Sequence, residues 1–253
     1  MIIAAPYVAV GLGDSDRAPV VPRDIVPPDA GLVEYHPGDL IALAHYEELD
    51  DDERRIVGAA VDSRRSEFGD GRWCAHRALR GLGVDGPILR GDKGMPLFPD
   101  HVTGTISHTR GLRVALVART DRWRSLGLDV EVAQRLPDGV LSAVSSARER
   151  RSLQRAAQRA PGRSLGTVLF SAKEAVYKAW FPVVGRFLDF DEVELQLDVA
   201  DTFAAAASSA ASSPDVGGRW PARVLSQPTP LPSLSGHWVI RDGYVVTVCA
   251  IPN

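Results

Sequence analysis

The chain has 253 residues, 45% hydrophobic and 24% charged, with a net charge of -3. This is enough for one large domain or two of ordinary size, each with a full apolar core. The near-neutral charge gives no electrostatic reason to expect a nucleic-acid partner, and the two distant cysteines, Cys74 and Cys249, suggest neither a disulfide framework nor a thiolate zinc site.

The N-terminal stretch MIIAAPYVAVGLGDSD is mildly apolar but lacks a basic leader, and Pro6 and Gly11 interrupt it. It reads as neither signal peptide nor membrane span, so a cytoplasmic protein with no membrane partner is expected. The first forty or so residues, rich in Pro, Gly and Asp, read as surface wrapping. The acidic run Asp50-Asp51-Asp52 suits the positive N-terminus of a helix, and Ile56, Val57, Ala60 and Val61 follow at helical spacing. Phe68, Cys74, Ala75, Ala78, Leu79 and Leu82 continue the pattern to Gly81 and Gly83, although Gly69 and Gly71 could split it in two.

Gly91–Asp100 reads as a loop, followed by strands at Thr103–His108 and Leu112–Ala118 and a third at Ser125–Val132. An Arg-rich helix is predicted over Ala147–Arg159, closed by Pro161-Gly162. In FSAKEAVYKAW, Ser171 and Glu174 have the spacing of a capping box, which would start a helix at Ser171 that Pro182 and Gly185 end. Strands are expected at Val193–Leu197, Ala222–Leu225, His237–Arg241 and Tyr244–Ile251, with Ala204–Gly218 as a flexible low-complexity insertion. Helices followed by antiparallel strands in each half make the fold class α+β, with halves at 1–120 and 121–253.

Asp129 and Glu131 lie two apart on a strand and share a face; alone, they could be two solvated acids. If Glu174 joins them, three carboxylates gather. Two unit charges at ~4 Å repel by about 4 kcal/mol at an effective dielectric of ~20, so such a cluster needs a proton or a cation. Hard oxygen ligands of this kind suit Mg²⁺, usually completed by a substrate phosphate. Arg64 and Arg72, about two helical turns apart, and Lys93 and His108 could bind several phosphates, or each could be an ordinary surface charge.

Taken together, the motifs resemble a known family. Gly127-Leu128-Asp129-Val130-Glu131 is similar to the G-[IVL]-D-x-E motif of Sfp-type 4'-phosphopantetheinyl transferases. Phe170–Ala179 is similar to their F-[ST]-x-K-E-[AS]-x-[YF]-K-A signature, and the family's separation between the two motifs is kept. Thr105-Ile106-Ser107-His108 and Lys93-Gly94-Met95-Pro96 resemble two upstream segments of the family. Arg64–Phe68 and Gly71–Ala75 resemble the arginine-bearing helix of its enterobactin-associated branch.

The resemblance implies a pseudo-dimer of two similar α+β halves, coenzyme A in the cleft between them, and monomeric behaviour. It implies transfer of the 4'-phosphopantetheine arm of coenzyme A to a serine of acyl or peptidyl carrier proteins, with release of adenosine 3',5'-bisphosphate. By that likeness Asp129, Glu131 and Glu174 would hold Mg²⁺, or Mn²⁺ in its place. Arg64, Arg72, Lys93, Gly94, Pro96, Ser107 and His108 would line the coenzyme's phosphates, with Lys173 and Lys178 near the pyrophosphate. Glu174 would be the base, Lys173 a charge or proton donor for the leaving oxygen, and Asp129 the third catalytic group. Carrier docking is expected around Leu136–Leu165, where Arg148, Arg150, Arg151 and Arg155 could face an acidic partner. Two alternatives remain open at the level of sequence: a metal-dependent nucleotide or pyrophosphate hydrolase, and a silent coenzyme A-binding module.

Overall fold

The computed structural model describes residues 7–11, 19–200 and 214–253. By internal packing the chain separates into two compact units, one of residues 1–126 with 252–253 and one of residues 127–251. The expected insertion at 204–218 lies outside the described residues up to 213, but its end, Val216–Gly218, is the start of a strand.

In the first unit, strands β1 (Tyr7–Gly11) and β2 (Gly31–His36) pair in parallel. Helices α1 (Ala44–Glu47), α2 (Asp51–Ile56) and α3 (Asp62–Gly81) follow. The short hairpin of β3 (Leu89–Arg90) and β4 (Pro96–Leu97) leads to β5 (Val102–Thr109) and β6 (Leu112–Arg119). The sheet order is β1-β2-β6-β5, and α3 packs on it. The surface wrapping expected of the first forty residues is therefore wrong for Gly31–His36, a buried strand next to β6. Its Glu34 is almost fully buried and accepts the amides of Val20 (2.9 Å) and Val21 (3.0 Å), so the incoming chain is held by a carboxylate. Buried backbone donors need such partners.

The acidic run does start a helix: the Asp50 side chain accepts from the Asp52 amide at 2.8 Å. That helix is short, and α3 begins afresh at Asp62, with Val61 exposed just before it. Within α3 neither glycine breaks the helix. A Cβ on Gly69 would stand 2.6 Å from the Tyr46 backbone nitrogen, so Gly69 is there to let α1 lie against α3.

In the second unit, β7 (Trp123–Val132) precedes α4 (Val140–Val144), α5 (Ala147–Arg159) and α6 (Leu165–Val184). Strands β8 (Val193–Leu195), β9 (Asp198–Val199), β10 (Val216–Val224), β11 (Ser233–Arg241) and β12 (Tyr244–Pro252) complete it. The sheet order is β7-β12-β11-β10-β8, with β9 on β10. Its core gathers Val168, Ala172, Ala175, Val176, Ala179 and Trp180 of α6 against Trp220, Trp238 and Val245 of the sheet. Each unit thus sets a 20-residue helix on a largely antiparallel sheet, an α+β construction in both. Among the described residues no helix is long and apolar enough to cross a membrane.

Candidate active site

The start of α6 differs from the expected one. The helix opens at Leu165, so Ser171 lies inside it, fully buried, with its Oγ 2.9 Å from Thr247 Oγ1. Ser171 is therefore no cap, and Glu174 has no capping role. Among the described residues of this unit, the capping boxes are Ser146 with Glu149 and Asp189 with Glu192.

What Glu174 meets is set by a glycine. A Cβ at Gly127 would stand 1.9 Å from the Ala175 carbonyl oxygen, so only glycine lets α6 lie directly on β7. The Ala179 backbone nitrogen, 2.9 Å from that Cβ position, lies on the same seam. Across it, Lys178 Nζ donates to Asp129 Oδ1 at 2.8 Å and to the Leu128 carbonyl at 3.2 Å. Asp129 is only 5% exposed, so it is not a solvated strand acid. Glu174, one helical turn before Lys178, faces the same pair. Burial, and after it the negative charge of Asp129, raise the Glu174 carboxyl above its ordinary range, while Lys178 pulls it down. Burial and the Glu174 charge likewise raise the Tyr177 hydroxyl.

The donor chemistry of Asp129 and Glu174, two partly buried carboxylates that repel each other, fits a hard divalent cation. Glu131 is half-buried further along β7. Among the described residues no three His, Cys, Asp or Glu side chains form a metal-holding group, so the expected trio is not preassembled.

Lys173 stands apart from this pair. One residue step turns the helix by about 100°, and the Lys173 ammonium is buried on Glu149 (2.9 Å) and the Phe190 carbonyl (2.7 Å). Burial lowers its pKa and the Glu149 contact opposes that. Glu149 also accepts the amides of Ser146 (2.7 Å) and Leu195 (2.9 Å), which ties α5, α6 and β8 together. Lys173 is expected near the pyrophosphate; what the structure shows is its ammonium held in this buried network.

The expected phosphate ligands lie in the first unit. Arg64 Nη1 is 3.3 Å from His108 Nε2, with both residues exposed. Ser107, the neighbour of His108 on β5, is buried. Lys93 and Gly94 form an exposed turn, closed by the Gly91 amide on the Met95 carbonyl at 2.9 Å, and Pro96 follows in β4. Lys93 holds φ 54, a left-handed backbone that costs a side-chain-bearing residue ~1–2 kcal/mol. Arg72 is 5% exposed; its Nη2 donates to the Leu89 carbonyl at 3.3 Å, while Nε and Nη1 make no hydrogen bond among the described residues. Burial lowers its pKa to about 10, opposed by the Glu53 charge, so it stays a cation at neutral pH. Buried guanidinium donors without acceptors suit an anionic ligand.

A family model described as the 4'-phosphopantetheinyl transferase N-terminal domain matches residues 52–118, and one for the 4'-phosphopantetheinyl transferase superfamily matches 125–249. The chain belongs to the 4'-phosphopantetheinyl transferase family. It is 42% identical over 217 residues to 4'-phosphopantetheinyl transferase Svp of Streptomyces mobaraensis, covering 85% of this chain and 81% of the relative. It is 37% identical over 206 residues to PptT of Mycobacterium tuberculosis, covering 79% and 85%. Similarity to enterobactin synthase component D of Salmonella typhi, 34% over 148 residues, covers 58% and 57%. As a 4'-phosphopantetheinyl transferase the chain is an enzyme that uses coenzyme A as substrate. Sequence reasoning on this transferase missed the spacing role of Gly127 and the partners of Arg72, Glu53 and His76. The first was visible in the motif, but Glu53 sits unremarkably among helix-start acids.

Proposed function

We propose that the acid pair of Asp129 and Glu174, with Lys178, is where the phosphopantetheinyl group moves from coenzyme A to a carrier-protein serine. The observation that carries this reading is the charge balance at that pair: a partly buried glutamate with a raised pKa beside an aspartate that one ammonium holds. The serine hydroxyl attacks the β-phosphorus of the pyrophosphate. Its new P–O bond forms as the bond to the bridging oxygen breaks, and adenosine 3',5'-bisphosphate leaves. Glu174, whose affinity for a proton burial and the Asp129 charge raise, takes the serine proton directly or through water. Lys178 holds positive charge at the site of bond exchange, and positioning with charge neutralisation does most of the work in such a transfer. Asp129, Glu174 and, further along the strand, Glu131 would hold Mg²⁺, which when bound supplies charge neutralisation on the pyrophosphate oxygens.

In the first unit Arg64, His108, Lys93 and Arg72 would take the coenzyme's phosphates. The carrier would dock in the second unit over the segment 136–165. A cavity of about 530 Å³ there has Leu136, Pro137, Leu141 and Leu165 among its walls, and Arg151 and Arg155 are exposed on α5.

Release of adenosine 3',5'-bisphosphate, followed with Mg²⁺ or a chelator and with or without an apo carrier protein, tests this. We expect release only with both Mg²⁺ and carrier. Release in the absence of carrier would instead mark a pyrophosphate hydrolase.

A further inference from the structure

Helices α2 and α3 meet at a buried charge cluster that the transfer chemistry does not use. Glu53 of α2 is 1% exposed, and His76 Nε2 lies 3.0 and 2.9 Å from its two carboxylate oxygens. Glu53 Oε1 is also 3.7 Å from Arg72 Nε. The Arg72 guanidinium lies over the Phe68 ring at 4.9 Å and reaches the Leu89 carbonyl through Nη2. That carbonyl opens the β3–β4 hairpin, which carries the Lys93 turn. A cavity of about 410 Å³ opens onto Glu53 and His76, and Arg72 is not among its walls.

A free arginine side chain samples many rotamers, and ordering it costs conformational entropy. Here the aromatic ring below, the carboxylate beside it and the hairpin carbonyl restrict the guanidinium before any ligand arrives. The carboxylate is itself fixed by the imidazole, as outer-shell partners fix a ligating group. The Nη1 donor is buried and has no hydrogen bond among the described residues, so it lacks an acceptor that a phosphate oxygen could supply.

We propose that Glu53 and His76 are positioning residues: the His76–Glu53 pair holds Arg72 so that Nη1 meets a phosphate oxygen of coenzyme A. The proposal rests on the reading of Arg72 as a phosphate ligand. A cluster that merely joined α2 to α3 would use the same contacts, but its loss would cost stability alone.

The test measures KM for coenzyme A, KM for carrier, kcat and Tm in Glu53→Gln, His76→Ala, His76→Gln and Arg72→Ala, and in Glu53→Gln combined with Arg72→Ala. Loss of an outer-shell partner commonly weakens binding by 10–100-fold, and about tenfold in KM for coenzyme A is expected for Glu53→Gln. KM for carrier and kcat should stay near wild type. His76→Ala should move the same way, and His76→Gln, which retains a donor to Glu53, should recover much of the loss. In the Arg72→Ala background Glu53→Gln should add nothing further. If Glu53→Gln does not fold, the His76 pair, facing the cavity, carries the same comparison. A lowered Tm with unchanged KM for coenzyme A would overturn the proposal, as would equal rises for both substrates or additivity with Arg72→Ala. An unchanged KM in Arg72→Ala itself would instead show that Arg72 does not bind the phosphate, and the proposal would fall with that reading.

Discussion

At Glu174, burial and the Asp129 charge act in the same direction against ionisation, and Lys178 only partly offsets them. The folded pKa lies above the unfolded one, so this group's contribution to stability is present below the ordinary carboxylate range. It is lost as pH rises through the folded value. Once ionised, Glu174 therefore destabilises the metal-free protein relative to its protonated form. Glu174→Gln removes that charge and, since Glu174 caps nothing, removes no hydrogen bond that starts a helix. Thermal melts in chelator at neutral pH should find this variant at least as stable as wild type, with the gain fading towards acid. A clear loss of Tm would mean that Glu174 is structural. The same raised pKa places the acid limb of kcat above the ordinary glutamate range, because the base must be ionised to accept the serine proton. Asp129 and Glu131 were legible as one strand face. That Asp129 is buried and held by Lys178 was not, because strand alternation does not say what helix covers a face.

At the scale of elements, the spacing between β7 and α6 positions the chemistry. Gly127→Ala puts a methyl 1.9 Å from the Ala175 carbonyl, and backbone on one side or the other must move. Overpacking of this kind costs ~1–3 kcal/mol, and the shift also separates Asp129 from Glu174 and Lys178. Chemical denaturation and single-turnover rates should show activity falling much further than stability; normal turnover would mean that the acid pair tolerates a displaced helix. Lys173 gives the opposite case. Lys173→Met leaves the Glu149 carboxylate buried without its cation, at a cost on the order of 3–5 kcal/mol. Adding Glu149→Gln should recover much of it, with turnover per folded molecule within a few-fold of wild type. A stable Lys173→Met protein that has lost turnover by orders of magnitude would place the ammonium back in the chemistry.

The α6 start was misread for a physical reason. Ser171 and Glu174 satisfy the capping spacing, but the residues before them are buried as well, and a helix buried all round offers no polar boundary to read. By contrast Ala147–Arg159, amphipathic and capped by Ser146, has the same bounds in the structure as in the sequence reading. The strand Gly31–His36 was hidden by the glycines and prolines around it and by Glu34, a charged residue whose burial depends on two distant amides.

For the whole molecule, the carrier is the one macromolecular partner the reading requires. Arg148 already pairs with Glu194 at 3.4 Å and Arg150 donates to Ser145, so the cations to test are Arg151 and Arg155, both exposed on α5. Reversing both to Glu should raise KM for an acidic carrier several-fold and spare KM for coenzyme A, since charges at a rim steer encounter. Equal effects on both substrates, or none, would move docking elsewhere. The two signature motifs were legible because each lies within a single element. The Arg72 cluster was not, because it joins residues from two helices and a hairpin.

The most direct test is the intact mass of an apo carrier protein after incubation with coenzyme A, Mg²⁺ and either wild type or Glu174→Gln. Wild type should convert the carrier to a species heavier by one phosphopantetheine on a serine, and Glu174→Gln should do so at least a hundredfold more slowly, the scale of a lost general base. Conversion by Glu174→Gln at close to the wild-type rate would contradict the account.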